Sequence, residues 1–200
     1  MATDGELFVP DEHFSTPKRL TERIGELTER GEGPRRGGLA HSLVTGAGVA
    51  LGMADHAMEL FLGAVGKRSI PYSPYTKQMD APITRLTVGR AHTQIRAAAA
   101  VAQLDRLDAE ETDPSERDTL QLHTDVAYIW DACSCAVETL FRASGAAAVA
   151  KRQPLQLIAR NCRAGSLHAA HGIDTWTENI GRGLCGVEAQ SSAGVLEPSS

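Results

Sequence analysis

The run from Gly37 to Gly66, GGLAHSLVTGAGVALGMADHAMELFLGAVG, decides the fold. Within it Leu39, Leu43, Ala47, Ala50, Ala54, Met58, Phe61 and Val65 recur at steps of three or four, the spacing of one buried helical face. One long helix is predicted from Gly37 to about Gly66. The same period returns three times downstream. Ile83, Leu86, Ala91, Ile95, Ala98, Ala102 and Leu104 predict a second helix from about Ala81 to Glu110, with an alanine run at 97–100 favouring it. Asp113-Pro114-Ser115-Glu116 offers an N-cap, a proline at the first helical position and an early acid, so a third helix begins there. Its stripe is Leu122, Val126, Trp130, Cys133, Val137 and Leu140 or Phe141, and Ser144-Gly145 ends or bends it. After Pro154 a fourth helix carries Leu155, Ile158, Cys162, Gly165 and Ala169 and fades near Gly172 or Trp176.

The connections follow from the breakers. Pro71, Pro74 and Pro82 forbid a continuous helix between Lys67 and Pro82, where Tyr72 and Tyr75 are expected to pack in a structured crossover loop. Residues 145–154 read as an irregular Gly/Ala-rich turn. Residues 1–36 form a lead-in in which Leu7-Phe8-Val9 reads as a short strand stopped by Pro10, and residues 183–200 read as a flexible tail. The expected fold is therefore all-α, an antiparallel four-helix bundle over residues 37–182.

Composition narrows the function classes. With 200 residues, 42% hydrophobic and 22% charged, and a net charge of -5, the chain is neither a disordered acidic tail nor a basic nucleic-acid binder. Only 4% of residues are aromatic, so the core is built from small and aliphatic side chains that suit closely approaching helices. Four cysteines without a signal-peptide pattern after Met1 point to reduced thiols and a cytoplasmic protein. Cys133 and Cys135 are spaced C-x-C rather than C-x-x-C, so no structural zinc site is expected, and Cys133 and Cys162 are assigned to the core. The apolar stretch Leu43 to Met53 is interrupted by Gly, Thr and Asp55, so no membrane-spanning helix and no membrane partner are expected.

None of the seven histidines has a Glu three residues before it, which removes a di-iron carboxylate centre. His168 and His171 share a face at i,i+3 and could share a metal, but they lack carboxylate partners, and no metal site is expected. His41, His56, His92 and His123 read as surface or core filler. Asn161, Ala164, His168, His171 and Thr175 follow the helical step, so polar and small residues line one face that suits a pocket wall. An imidazole there can act as general base or as hydrogen-bond donor to a ligand, and a satisfied interior histidine is the equal alternative. Arg160 and Arg163 could clamp an anion, although two solvated arginines are the commoner outcome. Phosphate-loop and G-x-S-x-G patterns are absent.

The segment Leu140-Phe141-Arg142-Ala143-Ser144-Gly145-Ala146-Ala147-Ala148-Val149, then Pro154-Leu155-Gln156, then Arg160-Asn161-Cys162-Arg163-Ala164-Gly165-Ser166-Leu167-His168-Ala169-Ala170 resembles the C-terminal domain of acyl-CoA dehydrogenase-fold flavoenzymes. It is most similar to the group D two-component flavin-dependent monooxygenases, which hydroxylate aromatic substrates with reduced flavin from a separate reductase. Phe8-Val9-Pro10-Asp11-Glu12-His13 resembles the exit from that family's middle β domain. The resemblance implies a four-helix bundle that mediates oligomer formation and supplies one wall of a flavin (FAD or FMN) and substrate site. It makes His168 the catalytic candidate, because the matching histidine contacts the flavin–substrate region. Ser144 and Gly145 become cofactor-binding candidates through the family's small-residue turn, with Asn161 and His171 beside them on the polar stripe. Family members often carry Asp after the fourth-helix arginine and a second histidine in the same turn, where this chain has Asn161 and Arg163.

The expectation is therefore a C-terminal-type subunit or half-enzyme of a flavin-dependent oxidoreductase, acting on a small aromatic molecule. A partner chain would supply the remaining domains. Two other readings stay open: a non-catalytic oligomerisation or scaffold module, and a flavin-free small-molecule enzyme built on the same bundle.

Overall fold

In the computed structural model, residues 36–109 and 115–187 are described, together with Glu26 and Arg30. Among the described residues five α-helices are delimited: α1 (Arg36–Val65), α2 (Pro82–Ala109), α3 (Glu116–Ala143), α4 (Pro154–Ser166) and α5 (Ile173–Leu184). Short 3-10 turns stand at Gln78–Asp80, Ala146–Val149 and Ala169–His171, and no strand occurs among the described residues. The short strand expected at Leu7-Phe8-Val9 lies outside the described residues, as do residues 188–200 of the expected tail.

α1 and α3 are the central pair, each packed on the other and on both α2 and α4. Small side chains allow this closeness: Ala47, Ala50, Ala54 and Ala57 of α1, Ala91 and Ala98 of α2, and Ala136 of α3 are fully buried. Larger side chains fill the space between them, with Phe61, Ile129, Leu140, Val126 and Val137 almost wholly enclosed. The stripe expected on α3 faces inward, as does that of α1 from Leu43 on and that of α4 through Cys162, whereas Ala169 is exposed beyond the helix; Cys133 and Cys162 are buried as the sequence implies.

Three expectations about the helices need correction. On α2, Ile83 and Leu86 are exposed, while Thr84, Ala91, Ile95 and Ala98 point inward. The inward phase is set by the longer alanine-rich part of the helix, and the two large residues at its start fall outside it. The third helix is capped by Ser115 rather than Asp113: its side chain accepts from the Asp118 N–H at 3.2 Å while Asp118 Oδ2 accepts from the Ser115 N–H at 2.9 Å. Asp113 and Pro114 lie outside the described residues. The fourth helix does not run on to Gly172 or Trp176 but stops at Ser166, and a separate α5 follows, reaching Leu184 inside the segment read as tail.

Leu43–Val65 is also long and apolar enough, by length and composition, to cross a membrane, because its Gly, Thr and acidic interruptions are too sparse to lower its mean hydropathy. In this bundle its inner face is core, and its outer face carries exposed Asp55, His56 and Glu59. Such a face suits water better than lipid.

The crossover loop is tied to the far end of α3. Gln78 is buried, its Nε2 donates to the Ala143 carbonyl at 2.7 Å, and its N–H donates to the Arg68 carbonyl at 2.6 Å. Tyr75 is half-buried, but Tyr72 is fully exposed with φ of 59°, so it packs on nothing described.

Candidate functional site

The break between α4 and α5 is built by one carbonyl and one glycine. Continuing α4 would send the Ala169 N–H to the Gly165 carbonyl. Instead that carbonyl meets the His168 N–H at 3.2 Å and His171 Nδ1 at 2.8 Å, so the chain turns into Ala169–His171 and then into α5. Gly165 itself lies under the Trp130 ring, so closely that an added Cβ would collide with the indole. Trp130 in turn stacks on His171, with centroids 4.8 Å apart and planes 14° apart.

These bonds fix the two histidines in complementary states. His168 Nδ1 accepts from the Ala170 N–H at 3.2 Å, which requires a lone pair on Nδ1 and leaves the proton of the neutral ring on Nε2. His171 donates from Nδ1 to the Gly165 carbonyl, which leaves its Nε2 as an acceptor when neutral. The rings are 5.4 Å apart and tilted. His168 is exposed and His171 half-buried, so the pair offers one hydrogen-bond donor and one acceptor at the edge of the bundle.

The predicted site residues are only partly brought together. His168 and His171 do meet, but on a 3-10 turn rather than on a continuous helix face, so the polar stripe from Asn161 to Thr175 is not a single wall. Asn161 is exposed on α4. Ser144 is buried at the end of α3, where its hydroxyl donates to the Leu140 carbonyl at 2.9 Å. Gly145 follows with φ of 72°, a left-handed conformation that starts the Ala146–Val149 turn and favours glycine. Among the described residues no group of His, Cys, Asp or Glu is arranged to hold a metal ion.

A groove of about 370 Å³ lies along α3 and α4, lined by Glu138, Phe141, Ala159, Arg160, Ala164 and Leu167 among others. Of the predicted stripe only Ala164 lines it. At its rim Glu138 bridges the helices, accepting from Arg142 Nε at 2.8 Å and from Arg163 Nη2 at 2.6 Å. The hydrogen bond from Arg142 chiefly, and then the Arg163 charge, hold the Glu138 carboxyl below its ordinary range against the opposing effect of burial. Arg163 and Arg160 are both exposed, and Arg163 is engaged by Glu138 within the chain.

The site's less legible half is aromatic. His123 of α3 is buried and stacks on Trp176 of α5, with centroids 4.1 Å and planes 12° apart. The i,i+7 spacing of His123 and Trp130 puts both on one face of α3, where the turn and α5 fold over them. That spacing was available in the sequence, but their partners became visible only with the break after Ser166.

Residues 44–172 match the family described as Acyl-CoA dehydrogenase, C-terminal domain. The all-α bundle agrees with this match, and the chain belongs to that family, one of flavin oxidoreductases. Among solved structures it is similar to XiaF from Streptomyces sp. in complex with FADH2 and glycerol, at 27% identity and a TM-score of 0.70, covering 77% of this chain and 40% of that one. The 3-HSA hydroxylase from Rhodococcus sp. RHA1 is 25% identical with a TM-score of 0.62, covering 75% of this chain and 40% of that one. The HsaA monooxygenase from M. tuberculosis shares the fold at 20% identity and a TM-score of 0.65, covering 92% of this chain and 49% of that one. This chain therefore spans two fifths to one half of the length of those relatives. No curated protein matches it.

Proposed function

We propose that this chain is the C-terminal helical part of a flavin-dependent oxidoreductase of the monooxygenase branch, acting on a small, aromatic molecule. The other domains of such an enzyme would complete the site against this bundle. The observation that carries this is the pairing of His168 and His171, one offering a donor and the other an acceptor, on the turn that ends the family's fourth helix.

The residues present fit a flavin held between this bundle and another domain better than one held within it. Exposed His168 and half-buried His171 form an open edge, Asn161 is exposed on α4, and nothing among the described residues encloses the pair. Reduced flavin, when bound, supplies the electrons for oxygen activation. This chain contributes the Nε2–H of His168 as a proton donor or orienting hydrogen bond, while His171 holds the turn in place through Gly165 and Trp130. Ser144 acts by fixing the end of α3, since its hydroxyl is already engaged, and Gly145 by letting the backbone turn there.

A second reading, an oligomerisation module without chemistry, is favoured by the exposed Met79, Ile83 and Leu86. Titrating the purified chain with oxidised and reduced flavin, alone and with a partner of the dehydrogenase fold, separates the two. Saturable changes in flavin absorbance and fluorescence, and a turnover loss of about 10²- to 10⁴-fold in the assembled enzyme on His168→Ala, are expected for a general acid. Absence of binding under every condition supports the module, and normal turnover by His168→Ala removes the catalytic role.

A further inference from the structure

α5 is held on the bundle by an unusual contact. It packs chiefly on α3. Its anchor is Trp176, buried, with the indole N–H donating to the Ala170 carbonyl at 2.9 Å and the ring stacked on His123. Thr124 adds one further bond, from its hydroxyl to the Trp176 carbonyl at 3.3 Å. His123 is 7% exposed, and neither of its ring nitrogens has a hydrogen-bond partner. A neutral imidazole tolerates such a position, stacked flat on an indole, better than an imidazolium does.

We propose that the His123–Trp176 stack is an acid-released latch: protonation of His123 undocks α5 and the Ala169–His171 turn from α3, while the bundle α1–α4 stays folded. The electrostatic surroundings support release rather than compensation. From α5 the ring meets Trp176, which is uncharged, and from the turn it faces the like-charged ring of His171. Burial chiefly, and then His171, push the His123 imidazole below its ordinary value of 6.5. In the undocked state the ring returns to water and takes up a proton near that ordinary value. The open state therefore binds more protons than the docked one, and it gains as pH falls through 6.5.

The turn that would be released carries His168 and His171, so the latch controls whether that pair is assembled. The inference stands apart from the proposed chemistry, because its readout needs neither flavin nor turnover.

Amide hydrogen exchange of the full chain, corrected for intrinsic rates, tests it at pH 7.5 and 5.5. One linked proton predicts that opening of residues 168–184 rises about tenfold between those values. Protection in α1 and in the middle of α3 should not change. His123→Phe keeps an aromatic ring for the stack and removes the proton, and it should flatten the response of residues 168–184. If that variant fails to fold, the ring protons of His123 in wild-type NMR spectra serve instead, and they should titrate in step with the opening. An unchanged pH response in His123→Phe overturns the latch. So does equal loss of protection across α1, α3 and α5, or opening that proceeds while His123 remains neutral.

Discussion

At the scale of single residues, Gly165 decides most. Its missing side chain makes room for the Trp130 ring, its carbonyl gathers the His171 ring and the His168 N–H, and α4 ends one residue later. Gly165→Ala must therefore push the indole, and with it the stack on His171, out of place. Overpacking of this kind costs about 1–3 kcal/mol, and the midpoint of thermal unfolding should fall by roughly 2–4 °C for each kcal/mol in a chain of this size. Differential scanning calorimetry reads the drop. Because the clash involves one identifiable ring, combining Gly165→Ala with Trp130→Leu should cost less than the sum of the two single changes. Additive losses would show that the glycine serves something other than that contact. Nearby, burial chiefly pushes the thiols of Cys133 and Cys162 up to about 12 and about 11, so they stand as uncharged core groups.

At the scale of elements, the connections carry as much information as the helices. Gln78 shows how: a 3-10 turn in a proline-rich loop is pinned by one buried amide to the last carbonyl of α3, beside the Ser144-Gly145 turn. Gln78→Leu keeps the bulk but strands the Ala143 carbonyl, at a cost of about 1–3 kcal/mol for an unsatisfied buried acceptor. Denaturant unfolding should show that loss, and amide exchange should show it concentrated at 67–82 and at the end of α3. Helix positions were legible in the sequence because apolar spacing at three and four is strong over thirty residues, and α1 and α2 end within a residue or two of their expected bounds. The phase of α2 was misread at Ile83 and Leu86 because side-chain size was weighed above the small residues that permit contact. The break after Ser166 was hidden because Leu167, His168, Ala169 and Ala170 carry no proline or glycine signal. What stops α4 is a hydrogen bond from a side chain six residues on, together with a tryptophan from another helix. His168 could be singled out in advance, but its tautomer and its 3-10 setting depend on that tertiary contact.

At the scale of the whole molecule, the outward features of the bundle bear on how it is completed. Met79, Ile83 and Leu86 stand exposed near the start of α2, and Leu62 is exposed one turn before Gly66, where an added Cβ would lie 3.6 Å from the Met79 sulfur. Under the module reading these exposed apolar side chains are where a contact with another protein surface is expected. Burying them recovers about 25 cal/mol per Å² of apolar area removed from water, so a modest interface centred there gains several kcal/mol before the cost of association. Ile83 and Leu86 sit at i,i+3 on the same face of α2, and neither belongs to the core, so Ile83→Glu/Leu86→Glu leaves the fold intact. Circular dichroism should therefore match the parent chain. Under the module reading, size-exclusion chromatography with light scattering should show an assembled parent and a variant reduced to single chains, because two carboxylates would have to be desolvated in the contact. An unchanged mass with unchanged helicity would place the interface on another face, and the α3–α4 groove with its Glu138–Arg163 bridge is then the next surface to alter.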